Sequence, residues 1–316
     1  MEISFYQKIR RTLKHLYFAL RKIVPAPVFL ALSFRVMYYA NKFAVMSFIS
    51  KYKFSLLENL DLSFKKSDTL FILGSGSSIN EYSKSQWDEI AEGNSVGFNF
   101  WLLHDFTPSF YVYEENLDEK RNNIFYEILE RKKDLYAKVP FIVKDIEYKG
   151  LSVGKIPAEI KEQIYLSIDL TVGASEEELD LFFMKGNQFI TRKNKNGLNV
   201  ILKKSGTLSY LIFLAQQMNY KKIVLCGIDL NNSNYFYDKP EYDERYPTPS
   251  NYANKEGVHP TNLNIEGNIP MEKIIAVIDE QILKPQGIEL FVGSKKSALY
   301  PIVPYYFENE AQKDCD

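Results

Sequence analysis

The stretch Thr69-Leu70-Phe71-Ile72-Leu73-Gly74-Ser75-Gly76-Ser77-Ser78 decides how this chain is read. A short apolar run of strand length ends in a Gly/Ser turn, and a polar stretch of helical character follows from Ile79 to about Glu92. Strand, tight turn and helix in that order form the opening unit of a parallel α/β sheet. Glycine permits close backbone approach, and N–H groups at a helix N-terminus favour negative charge. Gly74, Ser75 and Gly76 are therefore candidate contacts for a phosphate or ribose. The turn lacks the lysine of a P-loop and the full GxGxxG spacing, so by itself it reads equally well as an ordinary βα connection.

Working outward, residues 95–98 form a second strand ending at Asn99, and residues 109–113 a third ending at Glu114 and Glu115. Polar residues at strand ends are where ligands meet open α/β sheets. Residues 117–134 read as a charged helix and 140–143 as a strand, whereas 150–196 show no clear period. Lys203-Lys204-Ser205-Gly206-Thr207 then opens an apolar helix running to Met218, and the strand 222–226 leads into Gly227-Ile228-Asp229-Leu230. Ser205, Gly206, Thr207, Asp229 and Asn231 thus join the candidate binding set, although Asp229 serves equally well as a cap for its own turn. The polar Tyr/Asn/Pro segment 231–265, which holds Tyr235 and His259, is long enough to be a lid. A helix over 271–283 and a strand over 288–292 complete the pattern. The expected fold is α/β and Rossmann-like, with a mainly parallel sheet in one nucleotide-binding domain over residues 68–316.

The whole chain of 316 residues is 46% hydrophobic, 25% charged and has a net charge of −1. Those proportions exclude a disordered, collagen-like or coiled-coil protein. Only Cys226 and Cys315 are present, and the histidines are His15, His104 and His259, so neither a disulfide framework nor a metal site is expected. Charge is unevenly spread. Residues 1–53 carry ten Lys/Arg against Glu2 alone, a net +9 that leaves −10 for the remainder. Phe5, Ile9, Leu13, Leu16, Leu20 and Ile23 recur at helical spacing among the basic residues, as in an amphipathic helix on an anionic membrane surface. Pro25 and Pro27 end that helix. The apolar stretch that follows is interrupted by Arg35 and Lys42, and the uncharged run from Ile23 to Phe34 is too short to span a bilayer. Residues 1–67 are accordingly expected to be a membrane-associating helical segment on the inner, cytoplasmic face of the membrane. A basic helical subdomain packed on the core is the competing reading. Nucleic acid is disfavoured because bulky aliphatics accompany the basic residues. Self-association into a homo-oligomer stays open.

As a set, Leu73 to Ser77, Asn99, Ser205 to Thr207, Gly227 to Asp229, Tyr235 to Asp238 and His259 resemble, in order and spacing, the bacterial sialyltransferases of glycosyltransferase family 42. The resemblance covers about residues 69–300, and Ser294 to Ala298 with Val303-Pro304-Tyr305 is similar to the related lipopolysaccharide-core enzymes that transfer Kdo. It implies a GT-A-type fold with a lid, a CMP-activated acidic sugar as donor, inversion at the anomeric centre, and no cofactor or metal for nucleotide binding. A lipo-oligosaccharide or capsule glycan would be the acceptor. It also implies that Gly74, Ser75, Gly76, Asn99, Ser205 and Gly206 hold the nucleotide, that His259 is the general base, and that Tyr235 stabilises the departing phosphate. The chain departs from the family pattern in four places. Ser75 stands for an Asn, Asn231 stands near the position of a second tyrosine, Glu114 stands for an Asn, and an arginine upstream of the Ser-Gly is missing, with Lys203 and Lys204 nearby. Two alternatives remain: an ATP-dependent enzyme resembling the pterin diphosphokinases, and a catalytically degenerate, membrane-tethered nucleotide-binding adaptor.

Overall fold

The computed structural model describes residues 21, 23–232, 234–249, 257–265 and 268–307. The amphipathic helix expected from Phe5 to Ile23 lies almost wholly outside them, as do Cys315 and part of the expected lid. The strands are Ser55–Leu56 (β1), Thr69–Leu73 (β2), Asn94–Phe98 (β3), Phe110–Tyr113 (β4), Phe141–Val143 (β5), Ile164–Leu166 (β6), Ile168–Leu170 (β7), Val200–Leu202 (β8), Lys222–Cys226 (β9) and Glu289–Val292 (β10). Eight of them form one parallel sheet in the order β1-β6-β5-β4-β3-β2-β9-β10, and β7 pairs with β8 in a separate parallel pair. Strands β3, β4 and β5 are buried throughout, which matches the demand of a parallel sheet for cover on both faces, although β3 opens with the polar Asn94 and Ser95.

From β2 the chain steps to β3, β4, β5 and β6 on one side, then places β9 on the other side of β2, with Leu73 level with both Gly97 and Cys226. The direction of winding reverses between β2 and β9. That reversal opens a crevice beyond their carboxyl ends, the general ligand position in doubly wound sheets.

The helices of eight or more residues are Ala26–Tyr52 (α1), Lys84–Glu92 (α2), Glu119–Arg131 (α3), Leu179–Lys193 (α4), Thr207–Gln217 (α5) and Met271–Ile278 (α6). The helix expected from Ile79 to Glu92 is interrupted. Ser77–Glu81 forms a 3₁₀ turn, and α2 starts afresh behind Ser83, whose side chain accepts from Gln86 N–H while the Gln86 side chain accepts from Ser83 N–H. Asp118 caps α3 in the same manner through Lys120 N–H. α5 is buried continuously from Leu208 to Gln216, as its all-round apolar sequence requires.

Pro25 and Pro27 sit at the start of α1, where a missing N–H costs nothing. One side of α1 packs on β7 and α4. Phe34 meets Phe182 at 5.4 Å between ring centres, Tyr38 meets Phe189 at 5.7 Å, and the Asn41 amide donates to the Asp169 carbonyl at 2.6 Å. Burying each such apolar side chain contributes about 1.5–3 kcal/mol. β1 then adds to the sheet edge, with Ser55 level with Tyr165. Residues 26–56 thus pack on the α/β body, through α1 on β7 and α4 and through β1 on β6. No helix of the described residues is long and apolar enough to cross a membrane.

Candidate functional site

The loops after β2 and β9 approach closely enough to bond. Gly74 N–H donates to the Cys226 carbonyl at 2.8 Å and Gly76 N–H to the Gly227 carbonyl at 2.8 Å. Gly227 has φ +63°, and a Cβ there would lie 2.6 Å from the Gly74 oxygen, so the position requires glycine. Two further donors of the turn are also taken. Ser77 N–H goes to the Asn234 carbonyl at 3.2 Å, and Ser78 N–H goes to Asp229 Oδ2 at 3.1 Å. Ser78 Oγ donates to Asp229 Oδ1 at 2.5 Å. The N–H groups of Gly74, Gly76, Ser77 and Ser78 are therefore not available as the cradle expected for a phosphate. Its donors hold the β9 loop and residues 234–236, whose Phe236 N–H reaches back to the Ser75 carbonyl at 2.9 Å.

A cavity of about 380 Å³ occupies the crevice, within the size range of small-molecule sites. Ser75 and Gly76 form one wall, Asn99 and Phe100 another, and the N-terminus of α5 opens on it through Gly206, Thr207 and Leu208. Gly206, the residue before α5, supplies no side-chain cap, so this end of the helix presents its partial positive charge to the cavity. The anion-attracting end thus belongs to α5 and not to the turn after β2. Ser75 Oγ is buried with no hydrogen-bond partner among the described residues, which suits a hydroxyl that awaits a ligand.

Among the described residues two carboxylates line the cavity, Asp229 held by hydrogen bonds and Glu114 by lysines. Asp229 is 5% exposed and engaged by Ser78. Glu114 pairs with Lys144, lies 3.1 Å from Lys149 Nζ, and accepts from Thr207 Oγ1 at 3.1 Å. Arg121, in the first turn of α3, is buried in the lining with its guanidinium 4.9 Å from the centre of the Phe100 ring. Tyr235 and Tyr237 stack at 5.1 Å. Burial pushes the Tyr237 hydroxyl well above its usual range, with Tyr235 adding to the shift and Arg121 opposing it.

His259 stands at the cavity beside these tyrosines, its ring centre 6.3 Å from that of Tyr235. Its own N–H donates to the Leu230 carbonyl at 3.2 Å, which ties this part of the 231–265 segment to the end of β9. Nδ1 is 2.8 Å from Thr261 Oγ1 and 3.3 Å from Thr261 N. Burial lowers the imidazole below its ordinary value, while the Asp229 charge pulls the other way, so the ring is neutral at neutral pH.

Of the residues singled out from sequence, Ser75, Gly76, Asn99, Gly206, Thr207, Asp229, Tyr235 and His259 line one cavity. Three do not. Gly74 is buried in the ladder to β9, Ser205 is exposed with φ +63°, and Asn231 donates to the Lys296 carbonyl at 2.6 Å. Asn232 and Asn234 take the place in the wall that Asn231 was expected to hold. Sequence reasoning also missed Arg121 and Thr261. Arg121 reads as one charge in a solvated helix, although Asp118 as a cap just after β4 places the first turn of α3 at the carboxyl end of the sheet.

Behind the Glu114 wall lies a buried ionic cluster. Lys144 Nζ is 3.0 Å from Asp145 Oδ2, Lys203 pairs with Asp145, and Ser167 Oγ donates to Asp169 Oδ1 at 2.6 Å. Burial opposes ionisation of Asp145, but Lys144 and Lys203 hold its carboxyl below the usual range. Glu147 is pushed up to about 8 by burial and by the charges of Asp169 and Asp145. Asp145, Glu147 and Asp169 are close enough together to hold a cation, but Asp145 already carries two ammonium partners and none of the three lines the cavity.

Comparisons of the chain with family models, with curated proteins and with solved structures found no match.

Proposed function

We propose that the cavity binds a CMP-activated acidic keto-sugar of the sialic acid or Kdo type, and that the protein transfers the sugar, with inversion, to a hydroxyl of a bacterial lipo-oligosaccharide or capsule glycan. In this reading the α/β body is a GT-A-type nucleotide domain and the segment 231–265 is its lid. One observation carries it: His259, a stacked tyrosine pair and an uncapped helix N-terminus converge on a single cavity at the switch point of a parallel sheet. Transfer from such a donor develops negative charge on the leaving phosphate and requires a proton to leave the acceptor hydroxyl. In this reading His259 takes that proton, and because Nδ1 accepts from Thr261 N–H at 3.3 Å in the resting structure, the ring releases that contact to do so. The bond between the sugar and the phosphate oxygen breaks, and CMP departs toward the α5 N-terminus and the Tyr235 hydroxyl. The pairing of Glu114 with Lys144 and Lys149 suits an anionic donor, because that carboxylate does not face it with an unshared charge.

The test is CMP release from CMP-sialic acid and CMP-Kdo in the presence of a lipo-oligosaccharide acceptor. His259→Ala is expected to keep CMP binding while turnover falls by about 10²-fold or more. Equal loss of binding and turnover contradicts the role of His259. Formation of AMP from ATP with Mg²⁺ would favour diphosphate transfer, and CMP binding with no turnover would favour a nucleotide-binding adaptor.

A further inference from the structure

α1 is apolar on two sides, and only one of them is covered. Phe29, Leu30, Phe34, Tyr38 and Val45 face the core. Val28, Leu32, Val36, Tyr39, Phe43 and Met46 are exposed, with Val28 at 58%, Tyr39 at 64% and Phe43 at 73%. Their spacing of three and four residues sets them in one stripe, and Val28 to Met46 spans about 27 Å at the helical rise. Isolated exposed apolar residues are ordinary, but an unbroken stripe of this length along one helix marks a docking surface.

The charges choose the occupant. Arg35 and Lys42 are exposed along one edge of the stripe, Lys51 and Lys53 are exposed at the far end, and the helix contains no Asp or Glu. A second copy packed stripe to stripe would bring these basic edges together with no acidic group on the helix to offset them. An anionic lipid surface complements them, and the chain before the helix adds Lys8, Arg10, Arg11 and Lys14 against Glu2. Crossing the bilayer is excluded for α1, because its other side is packed along β7 and α4.

We infer that α1 docks the protein on an anionic bilayer, lying in the membrane plane with the Val28 to Met46 stripe in the headgroup and upper acyl region and Arg35 and Lys42 at the phosphates. The inference narrows the membrane expectation for residues 1–53 to one face of one helix that is folded into the domain. It rests on exposure and charge and not on the transfer reaction, so vesicle binding and CMP binding fail separately.

The experiment is flotation of the full-length protein with phosphatidylcholine vesicles, with and without phosphatidylglycerol. Binding is expected to require phosphatidylglycerol and to weaken with salt. The pair Leu32→Glu with Phe43→Glu, and separately Arg35→Glu with Lys42→Glu, should each lower partitioning at least about tenfold while CMP binding and far-UV dichroism stay unchanged. Unchanged partitioning in both variants would overturn the inference and assign any vesicle binding to residues 1–20. Equal binding to neutral vesicles would overturn it as well. So would a concentration-dependent dimer in light scattering that Leu32→Glu with Phe43→Glu abolishes, which would give the stripe to a second copy.

Discussion

Asp229 separates a residue that holds the site together from one that touches the ligand. Its carboxylate accepts Ser78 N–H at 3.1 Å and Ser78 Oγ at 2.5 Å, and the side chain is buried. Hydrogen bonds to a charged group contribute about 1.5–3 kcal/mol each, and a buried N–H stripped of its acceptor costs a similar amount. Asp229→Ala should therefore destabilise the protein by about 3–5 kcal/mol. For a chain of this size that is a fall in Tm of roughly 5–8 °C. Ser78→Ala keeps the backbone bond and should cost about 1.5 kcal/mol. In a double-mutant cycle read by urea denaturation the two changes should couple by about 1–2 kcal/mol. CMP binding should weaken too, since the β2 and β9 loops lose the tie that sets the cavity wall. A stability within ~0.5 kcal/mol of the parent protein, with no coupling to Ser78 but a loss of binding, would refute this reasoning and make Asp229 a direct ribose contact.

Further expectations concern pH and the close approach of the loops. The folded protein holds a proton on Glu147 up to about 8, whereas the unfolded chain releases it near the ordinary value of 4.5, so this group removes stability as pH rises between the two. Glu147→Gln should flatten that decline in urea titrations at successive pH values, and a steeper decline would contradict the assignment. Because His259 is held below 6.5, the acid limb of turnover should fall below pH 6.5, and Asp229→Asn should move it lower by removing the charge that favours the imidazolium. A limb that moves to higher pH in a pH–rate profile would exclude His259 as its source. Gly76→Ala places a Cβ 2.7 Å from the Gly227 oxygen and from the Asp229 carboxyl carbon, so it should cost about 1–3 kcal/mol in chemical denaturation and impair CMP binding. Parent-like stability would show that the two loops can part freely.

The parallel α/β fold was legible because its signals are local. An apolar strand ending in a glycine turn recurs at Leu73 to Ser77, at Gly206 and at Gly227, and residues of all three turns line one cavity. The use of the turn's N–H groups was not legible, because it depends on Asn234 and Asp229, about 150 residues away in sequence. The one-residue offset between Ser205, which points out, and Gly206, which lines the cavity, follows from the positive φ at Ser205 and has no sequence signature. The burial of Lys144, Asp145, Asp169 and Lys203 had no sequence signal, since charged side chains are seldom buried unless paired, and the Asp145–Lys203 pair joins segments about 60 residues apart. α1 resisted reading for the opposite reason. A helix apolar on two sides gives the same sequence pattern as a fully buried one, and only the packing on β7 and α4 tells which side is covered.

The most direct test of the central claim is a calorimetric titration of the full-length protein with CMP, CDP, ATP and GTP, first in EDTA and then with Mg²⁺. The account predicts CMP-selective binding that EDTA does not abolish, at a site that Asp229→Ala weakens. Binding of ATP that requires Mg²⁺, or no binding of CMP under either condition, would contradict it.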